Sequence, residues 1–405
     1  MAVVGYDKNM KRIYLDHAAA TPMDESVART VAVAARRWYA NPSALHTEGG
    51  EARTMLEEAR GNVAGVLSAH ADEIVFVSSA TEANNMALRG IVYAARARGI
   101  ARPHIIVSAI EHPSVLETAR SLAGEDARVD ILPVDHRGLV DVRELRKRIT
   151  PETILVSVMY ANNEVGTIEP LREIGKEVRH ARKMYASTYP YFHTDASQAA
   201  NYLDLNILRL GVDLMTLSSS KTYGPRGIGV LMVRRGVNLV PLFSGGAHER
   251  GRRPGTEAVA LALGFAEALA HAEKIKAKES VRVKKLRDAL AERVLKAIPG
   301  ASINGDLACA LPNILNISIT GCDSEALVIY LNAAGIAVSG GSACKSSSGE
   351  TSYVLAALAR GRDRTAGAIR FSLGRGTARA DITCAVKELT RTIEIIRTAQ
   401  EKGDR

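Results

Sequence analysis

No apolar run in the 405 residues approaches the roughly 20 that a membrane helix needs. Cysteine is scarce: Cys309, Cys322, Cys344 and Cys384 stand far apart and none forms a CxxC pair. That spacing gives no sign of a zinc site, a redox pair or a disulfide framework. Aromatic residues make up only 4%, too few for an obvious base-stacking surface. Met1 to Arg12 holds charges but no apolar h-region, so no secretory signal is expected, and the expected location is cytoplasmic.

What is present is ordinary for a globular protein, with 46% hydrophobic and 24% charged residues. A chain of this length buries a large core and is expected to fold as two domains. Lys and Arg total 53 against 44 acidic residues, a formal net charge of +9. Such an excess steers nucleic acid or an acidic partner in some proteins. Here the basic residues are scattered through helical segments such as Arg96–Arg98 and Lys274–Lys285, which reads first as solvated helix faces. No direct nucleic-acid binding is expected.

Short apolar runs alternate with helical patterns from about Glu73 to Arg235. The strand candidates are 73–79, 104–109, 128–134, 153–162, 191–197, 213–219 and 228–235. Most are nearly continuous in Val, Ile and Leu, as strands buried on both faces should be. Helical stretches between them, such as Glu82–Arg98 and Leu171–Met184, suggest parallel βαβ crossovers. The fold class is therefore α/β, with a mostly parallel sheet of about seven strands. After Thr256 a long helical region, roughly 258–298, leads to strand candidates at 313–319 and 369–374. These read as a smaller α/β domain, giving 13–270 and 271–405, with residues 1–25 a candidate to pack with the second unit.

Ligands in open α/β sheets sit at the carboxyl ends of the strands. The first such end runs into Ala80-Thr81-Glu82, which looks like a helix N-terminus suited to a phosphate, although an ordinary cap looks the same. The next ends at His112, able to stack on a flat ring or simply cap the following helix. Others end at Asn162-Asn163 and at His193-Thr194-Asp195, with Gln198 three residues on. A carboxylate at Asp195 is able to hold a heterocyclic nitrogen protonated, or to be structural. The last ends at Ser218-Ser219-Ser220-Lys221, and a lysine at the end of a buried strand is a candidate for a Schiff base. Phosphate site, ring-stacking residue, carboxylate and lysine together are the parts that pyridoxal phosphate (PLP) requires.

With those residues in view, the sequence resembles the cysteine desulfurases, the NifS/IscS-like branch of the fold-type I PLP enzymes. The resemblance covers nearly the whole chain, from Tyr14-Leu15-Asp16-His17-Ala18-Ala19 through Asn41-Pro42-Ser43 to Arg370-Phe371-Ser372-Leu373-Gly374-Arg375. It implies that Lys221 carries PLP, Asp195 pairs with the pyridine nitrogen, Gln198 reaches the ring hydroxyl and His112 stacks on the ring. Ala80, Thr81 and Ser218 would bind the phosphate, and Thr256 the phosphate of a neighbouring subunit, which implies a homodimer. Asn163 and Arg370 would contact the substrate, L-cysteine, Arg370 by a bidentate pair with its carboxylate. Cys344, in a Gly/Ser-rich stretch beside Lys345, would be the sulfur acceptor. Cys309, Cys322 and Cys384 lie in apolar or helical surroundings and are expected to be core.

Three departures stand out, the smallest being Ser79 before Ala80, where relatives commonly have glycine. Members of the family usually have histidine before the Schiff-base lysine, where this chain has Ser220, whose hydroxyl is still able to donate to phosphate. The tail after Arg375 is shorter than in members whose tail contacts an iron–sulfur scaffold. That leaves the acceptor open between a scaffold, a tRNA-thiolation enzyme and another carrier protein. The competing functions are a selenocysteine lyase or other PLP lyase, and a non-catalytic sulfur carrier or assembly subunit.

Overall fold

The computed structural model describes residues 12–340, 352–359 and 367–403. In chain order its strands are β1 (Ile13–Tyr14), β2 (Ile74–Val77), β3 (His104–Ser108), β4 (Arg128–Leu132), β5 (Thr153–Ser157) and β6 (Tyr191–Asp195). They continue as β7 (Leu214–Ser218), β8 (Gly229–Val233), β9 (Ala301–Ile303), β10 (Ile314–Ile319), β11 (Ile336–Ala337) and β12 (Ile369–Ser372). A seven-stranded sheet runs in the order β2-β8-β7-β6-β5-β3-β4. Every residue of β3, β5, β6, β7 and β8 is buried, as the continuous Val/Ile/Leu runs predict. The exception is β4, which lies at the sheet edge and exposes Arg128.

Strands β4, β3, β5, β6 and β7 are parallel, while β8 runs antiparallel to both β7 and β2. The reversal has a simple cause. Only residues 219–228 separate β7 from β8, too few for a crossover helix. Because β8 reverses both pairings, β2 points the same way as β7. The carboxyl ends of β2, β3, β5, β6 and β7 therefore open on one edge of the sheet.

Helices cover the sheet, among them Ala80–Ala97, Pro113–Gly124 and Leu171–Met184. The helix Ala80–Ala97 sinks Met86, Ala87, Ile91 and Ala94. The 39-residue helix Val259–Ala297 packs its first half on the helices Glu25–Arg37 and Thr47–Leu67. Its second half contributes Val283, Leu290 and Val294 to a separate core with β10 and β12, which also takes in Ile13 and Leu15. β10 pairs antiparallel with β9 and β12, and β1 pairs parallel with β11. The N-terminal segment is thus stitched to the late part of the chain, and residues 16–21 come to lie beside the open edge of the large sheet. Among the described residues no helix is long and apolar enough to cross a membrane.

Candidate active site

Asp195 ends β6 and is almost fully buried, at 5% exposure. A carboxylate there needs compensating donors. It has two: Asn84 Nδ2 donates to Oδ2 at 2.7 Å and the Ser197 amide donates to Oδ1 at 2.9 Å. Asn84 Nδ2 also donates to Ser114 Oγ at 2.8 Å, and Ser114 Oγ lies 2.8 Å from His112 Nδ1. One polar chain thereby links the carboxylate to the histidine.

His112 is the N-cap of the helix Pro113–Gly124, its Nδ1 accepting from the Ser114 amide at 3.1 Å. Of the two roles that the sequence left open, capping is therefore present. With Nδ1 accepting, the neutral ring carries its proton on Nε2. Burial pushes the imidazole below its ordinary value, against the opposing pull of Asp195 and with the help of Lys221. A neutral, ordered ring in this position suits stacking.

Lys221 closes the one-turn helix Ser219–Lys221 immediately after β7. Asn201 Nδ2 donates to its carbonyl at 2.7 Å, and its ammonium donates to the Ala19 carbonyl. Gln198 Nε2 donates to the Ala18 carbonyl at 2.9 Å. Ser218 and Ser220 place their hydroxyl oxygens 3.1 Å apart. Thr21 ties the N-terminal segment to this turn, its amide and hydroxyl both donating to the Ser220 carbonyl at 2.9 and 3.0 Å.

Ala80 and Thr81 open the helix Ala80–Ala97, and Ser79 Oγ caps it by accepting from the Glu82 amide at 3.2 Å. The turn is pressed against β8. A Cβ on Gly229 would come within 2.9 Å of the Ser79 carbonyl carbon and 3.1 Å of the Ala80 nitrogen, so only glycine lets the backbones meet. Arg253 Nε donates to Glu82 Oε1 at 2.8 Å and neutralises the carboxylate in this first turn. Thr256, three residues further along that loop, is exposed.

Arg370, on β12, is 2% exposed and reaches the same edge from the other core. Its Nη2 pairs with Asp16 Oδ1 at 2.7 Å and its Nη1 donates to the Asn163 carbonyl at 2.7 Å. Arg370 Nε and Asn163 Oδ1 are buried and unpartnered among the described residues. β12 leads to Gly374, where a Cβ would sit 2.2 Å from the His17 ring and 2.5 Å from the Tyr223 hydroxyl. Glycine there lets the β12 turn close onto the residues following Lys221.

The structure thus gathers Ala80, Thr81, His112, Asn163, Asp195, Gln198, Ser218, Ser220, Lys221 and Arg370 around one edge. Cys344 lies outside the described residues. Of the other cysteines, Cys322 is buried as expected, but Cys309 and Cys384 are only half-buried. Cys309 sits on the superficial turn Leu307–Cys309, where its thiol donates to the Asp306 carbonyl at 3.5 Å, and Cys384 lies at the margin of the smaller core. The sequence reading missed Asn84, Ser114, Asp16 and the carbonyls of Ala18 and Ala19. Asn84 alone carried a usable signal, as an amide in line at helical spacing with Ala80, Ala87, Leu88 and Ile91.

These residues fit PLP. The buried, doubly hydrogen-bonded carboxylate suits a ring nitrogen, and beside Arg370 the Asn163 Oδ1 is buried and unpartnered among the described residues. Removing the Asn84 donor should therefore weaken the cofactor. Asn84→Ala is expected to raise the PLP dissociation constant about tenfold or more, from the roughly 1.5–3 kcal/mol of a hydrogen bond to a charged group. Equilibrium dialysis followed by absorption spectroscopy would measure it, and unchanged retention would remove Asn84 from the site.

Glu111, beside His112, is wholly buried; Ser108 Oγ and the Met159 amide both donate to its Oε1 at 2.6 Å, and burial pushes the carboxyl up to about 8. A raised acid stabilises the fold below its unfolded value of 4.5, and that contribution is lost as pH rises through about 8. Glu111→Gln should flatten the fall in melting temperature across that window. An unaltered pH profile would show that Glu111 is ionised throughout.

Comparison with known proteins agrees with this geometry. The family model for aminotransferase class-V matches residues 13–384. A cysteine desulfurase IscS from Dictyoglomus turgidum is 41% identical over 96% of this chain and 96% of its own. A solved NifS-like protein is 34% identical, with a TM-score of 0.87 over 95% of this chain and all of that one. Another solved chain, SspA in complex with cysteine, is 31% identical, with a TM-score of 0.76 over 89% of this chain and 98% of that one. The chain belongs to the aminotransferase class-V family and, within it, to the IscS/NifS cysteine desulfurases. Its mostly parallel seven-stranded sheet is that of the fold-type I enzymes.

Proposed function

We propose that this chain removes sulfur from L-cysteine with the aid of PLP, releasing L-alanine and leaving a persulfide on Cys344. The observation that carries the reading is the convergence of Lys221, His112 and the Asn84-braced Asp195 at one strand edge, in a chain of this family. Lyase and carrier alternatives are not favoured beside relatives of this kind.

PLP, when bound, supplies an electron sink that makes the substrate α-proton removable and weakens the carbon–sulfur bond. Asp195 would hold the ring nitrogen protonated, with Asn84 and the Ser197 amide keeping the carboxylate oriented. His112 would cover the ring, and Gln198 would exchange its bond to Ala18 for one to the ring hydroxyl. The amides of Ala80 and Thr81, with Ser218 and Ser220, would bind the phosphate. Lys221 Nζ would take the α-proton, which requires it to leave the Ala19 carbonyl. Arg370 and Asn163 would hold the substrate carboxylate; among the described residues Arg370 Nε has no partner and Nη2 is on Asp16, so the substrate would compete with Asp16 for the guanidinium. Cys344 thiolate would attack the substrate sulfur as the carbon–sulfur bond breaks, and alanine would leave after protonation at carbon.

A cleft of about 500 Å³ beside the phosphate turn is lined by Ser79, Thr81, Leu242 and Phe243, and Phe243 is 54% exposed. Thr256 of a second copy would enter there, which favours a homodimer with shared sites. Residues 13–270 would form the PLP-binding unit and 271–405 the smaller one that carries Cys344. A cytoplasmic enzyme handing sulfur to an iron–sulfur scaffold or a tRNA-thiolation protein fits the reading. The test is to give PLP-loaded protein L-cysteine and measure alanine, together with sulfide released by reductant. Equal amounts of both support the desulfurase; pyruvate and ammonia in place of alanine would point to an eliminating lyase.

A further inference from the structure

The helix Val259–Ala297 carries Lys278, Arg282 and Lys285 at i, i+4 and i+7, hence on one face. Arg379 begins the neighbouring helix Arg379–Gly403. With Val281 and Leu286 these residues line a surface cleft of about 420 Å³. The cations do not all serve the fold. Arg282 does: it pairs with Glu279 at 2.7 Å and donates to the carbonyls of Thr377, Gly374 and Arg375 at 2.7, 2.9 and 3.1 Å. Lys276 and Lys284 on the same helix are likewise neutralised, by Glu273 at 2.7 Å and Asp288 at 2.6 Å.

Lys278, Lys285 and Arg379 are different, being exposed and without an acidic partner among the described residues. Between them lies Val281, 56% exposed, so unneutralised positive charge surrounds an apolar floor. Like charges gathered this way add nothing to stability, and a scattered basic surface would not place them around one apolar residue. Among the described residues no aromatic ring lines the cleft, so they offer no stacking platform of the kind that single-stranded nucleic acid uses. An acidic amphipathic peptide matches both features, with carboxylates against the cations and an apolar side chain on Val281.

We propose that this cleft docks an acidic segment of a partner protein. Its floor adjoins the turn Gly374–Thr377, which follows the strand bearing Arg370 and whose Arg375 amide donates to the Tyr223 hydroxyl at 2.8 Å. A partner bound there would sit against elements that frame the active site. The inference uses only the cleft and its charges and stands independently of the sulfur chemistry.

The test is fluorescence anisotropy with a labelled amphipathic Glu/Leu helical peptide, alongside an oligothymidylate of equal charge, at low and physiological salt. The variant K278E/K285E/R379E leaves Arg282 and the fold contacts intact. A control, K147E/K183E/K296E, makes the same change from +9 to +3 at exposed lysines elsewhere, since each reversal removes two charges. Peptide binding is expected to weaken at least about tenfold in the cleft variant and to stay within about twofold in the control, because reversed charges repel the ligand locally. Equal weakening in both would reduce the effect to net charge, and no weakening in the cleft variant would place the peptide elsewhere. An oligonucleotide preferred over the peptide and lost with the cleft would assign the surface to nucleic acid. Each of these three results overturns the proposal.

Discussion

Lys221→Ala should abolish turnover of L-cysteine, lowering alanine formation by at least about a thousandfold, within the range that a positioned general base contributes. The same substitution should remove the visible absorption of lysine-bound PLP, leaving a cofactor that dialyses away more readily. The backbone at this position is held independently of the side chain, since Asn201 Nδ2 donates to the Lys221 carbonyl at 2.7 Å. A collapsed fold is therefore not the expected cause. Lys221→Arg separates charge from chemistry: it keeps a cation within reach of the Ala19 carbonyl, but a guanidinium stays protonated and so neither accepts the α-proton nor forms the covalent link. It should be as inactive as the alanine variant. Retained activity in either protein would move the role to another amine and overturn the assignment of Lys221.

The fold was largely legible because burial on both faces leaves a plain record. The runs at 104–109, 153–162, 191–197 and 213–219 became β3, β5, β6 and β7, shorter by one to five residues at their carboxyl ends. The trimmed ends are informative. After Ser157 the chain leaves the regular ladder but still bonds β6, with the Val158 amide on the His193 carbonyl at 3.1 Å and the Tyr160 amide on the Asp195 carbonyl at 2.9 Å. Candidate site residues such as Asn163 lie just beyond these ends, where sequence pattern weakens. The contacts from residues 16–21 were not legible for a different reason. Ala18 and Ala19 act through backbone carbonyls, which any residue supplies, on partners 180 and 202 positions away. Asp16, paired with Arg370 at 2.7 Å, was visible only as part of a familiar string, because an ion pair across 354 positions leaves no spacing to read.

Cys344→Ser should leave cofactor and substrate binding intact while sulfur transfer falls at least about a hundredfold, because a hydroxyl remains protonated where a thiol is partly ionised. The variant should still show the absorption change on adding L-cysteine, yet accumulate no persulfide detectable by mass spectrometry after alkylation. Two of the three other thiols compete poorly for the label. Burial pushes Cys309 and Cys322 above their ordinary value, so both ionise late and react slowly at neutral pH. Cys344 stands beside Lys345 in a Gly- and Ser-rich stretch, and a neighbouring ammonium favours the thiolate. Iodoacetamide should therefore modify Cys344 first, with a rate that rises at a lower pH than an ordinary cysteine with a pKa of about 8.5 would show. Lys345→Glu should shift that profile upward by favouring the protonated thiol. If Cys344→Ser keeps full sulfur transfer, the acceptor must be another nucleophile. If it loses the absorption change as well, the cysteine acts in binding and not as the acceptor.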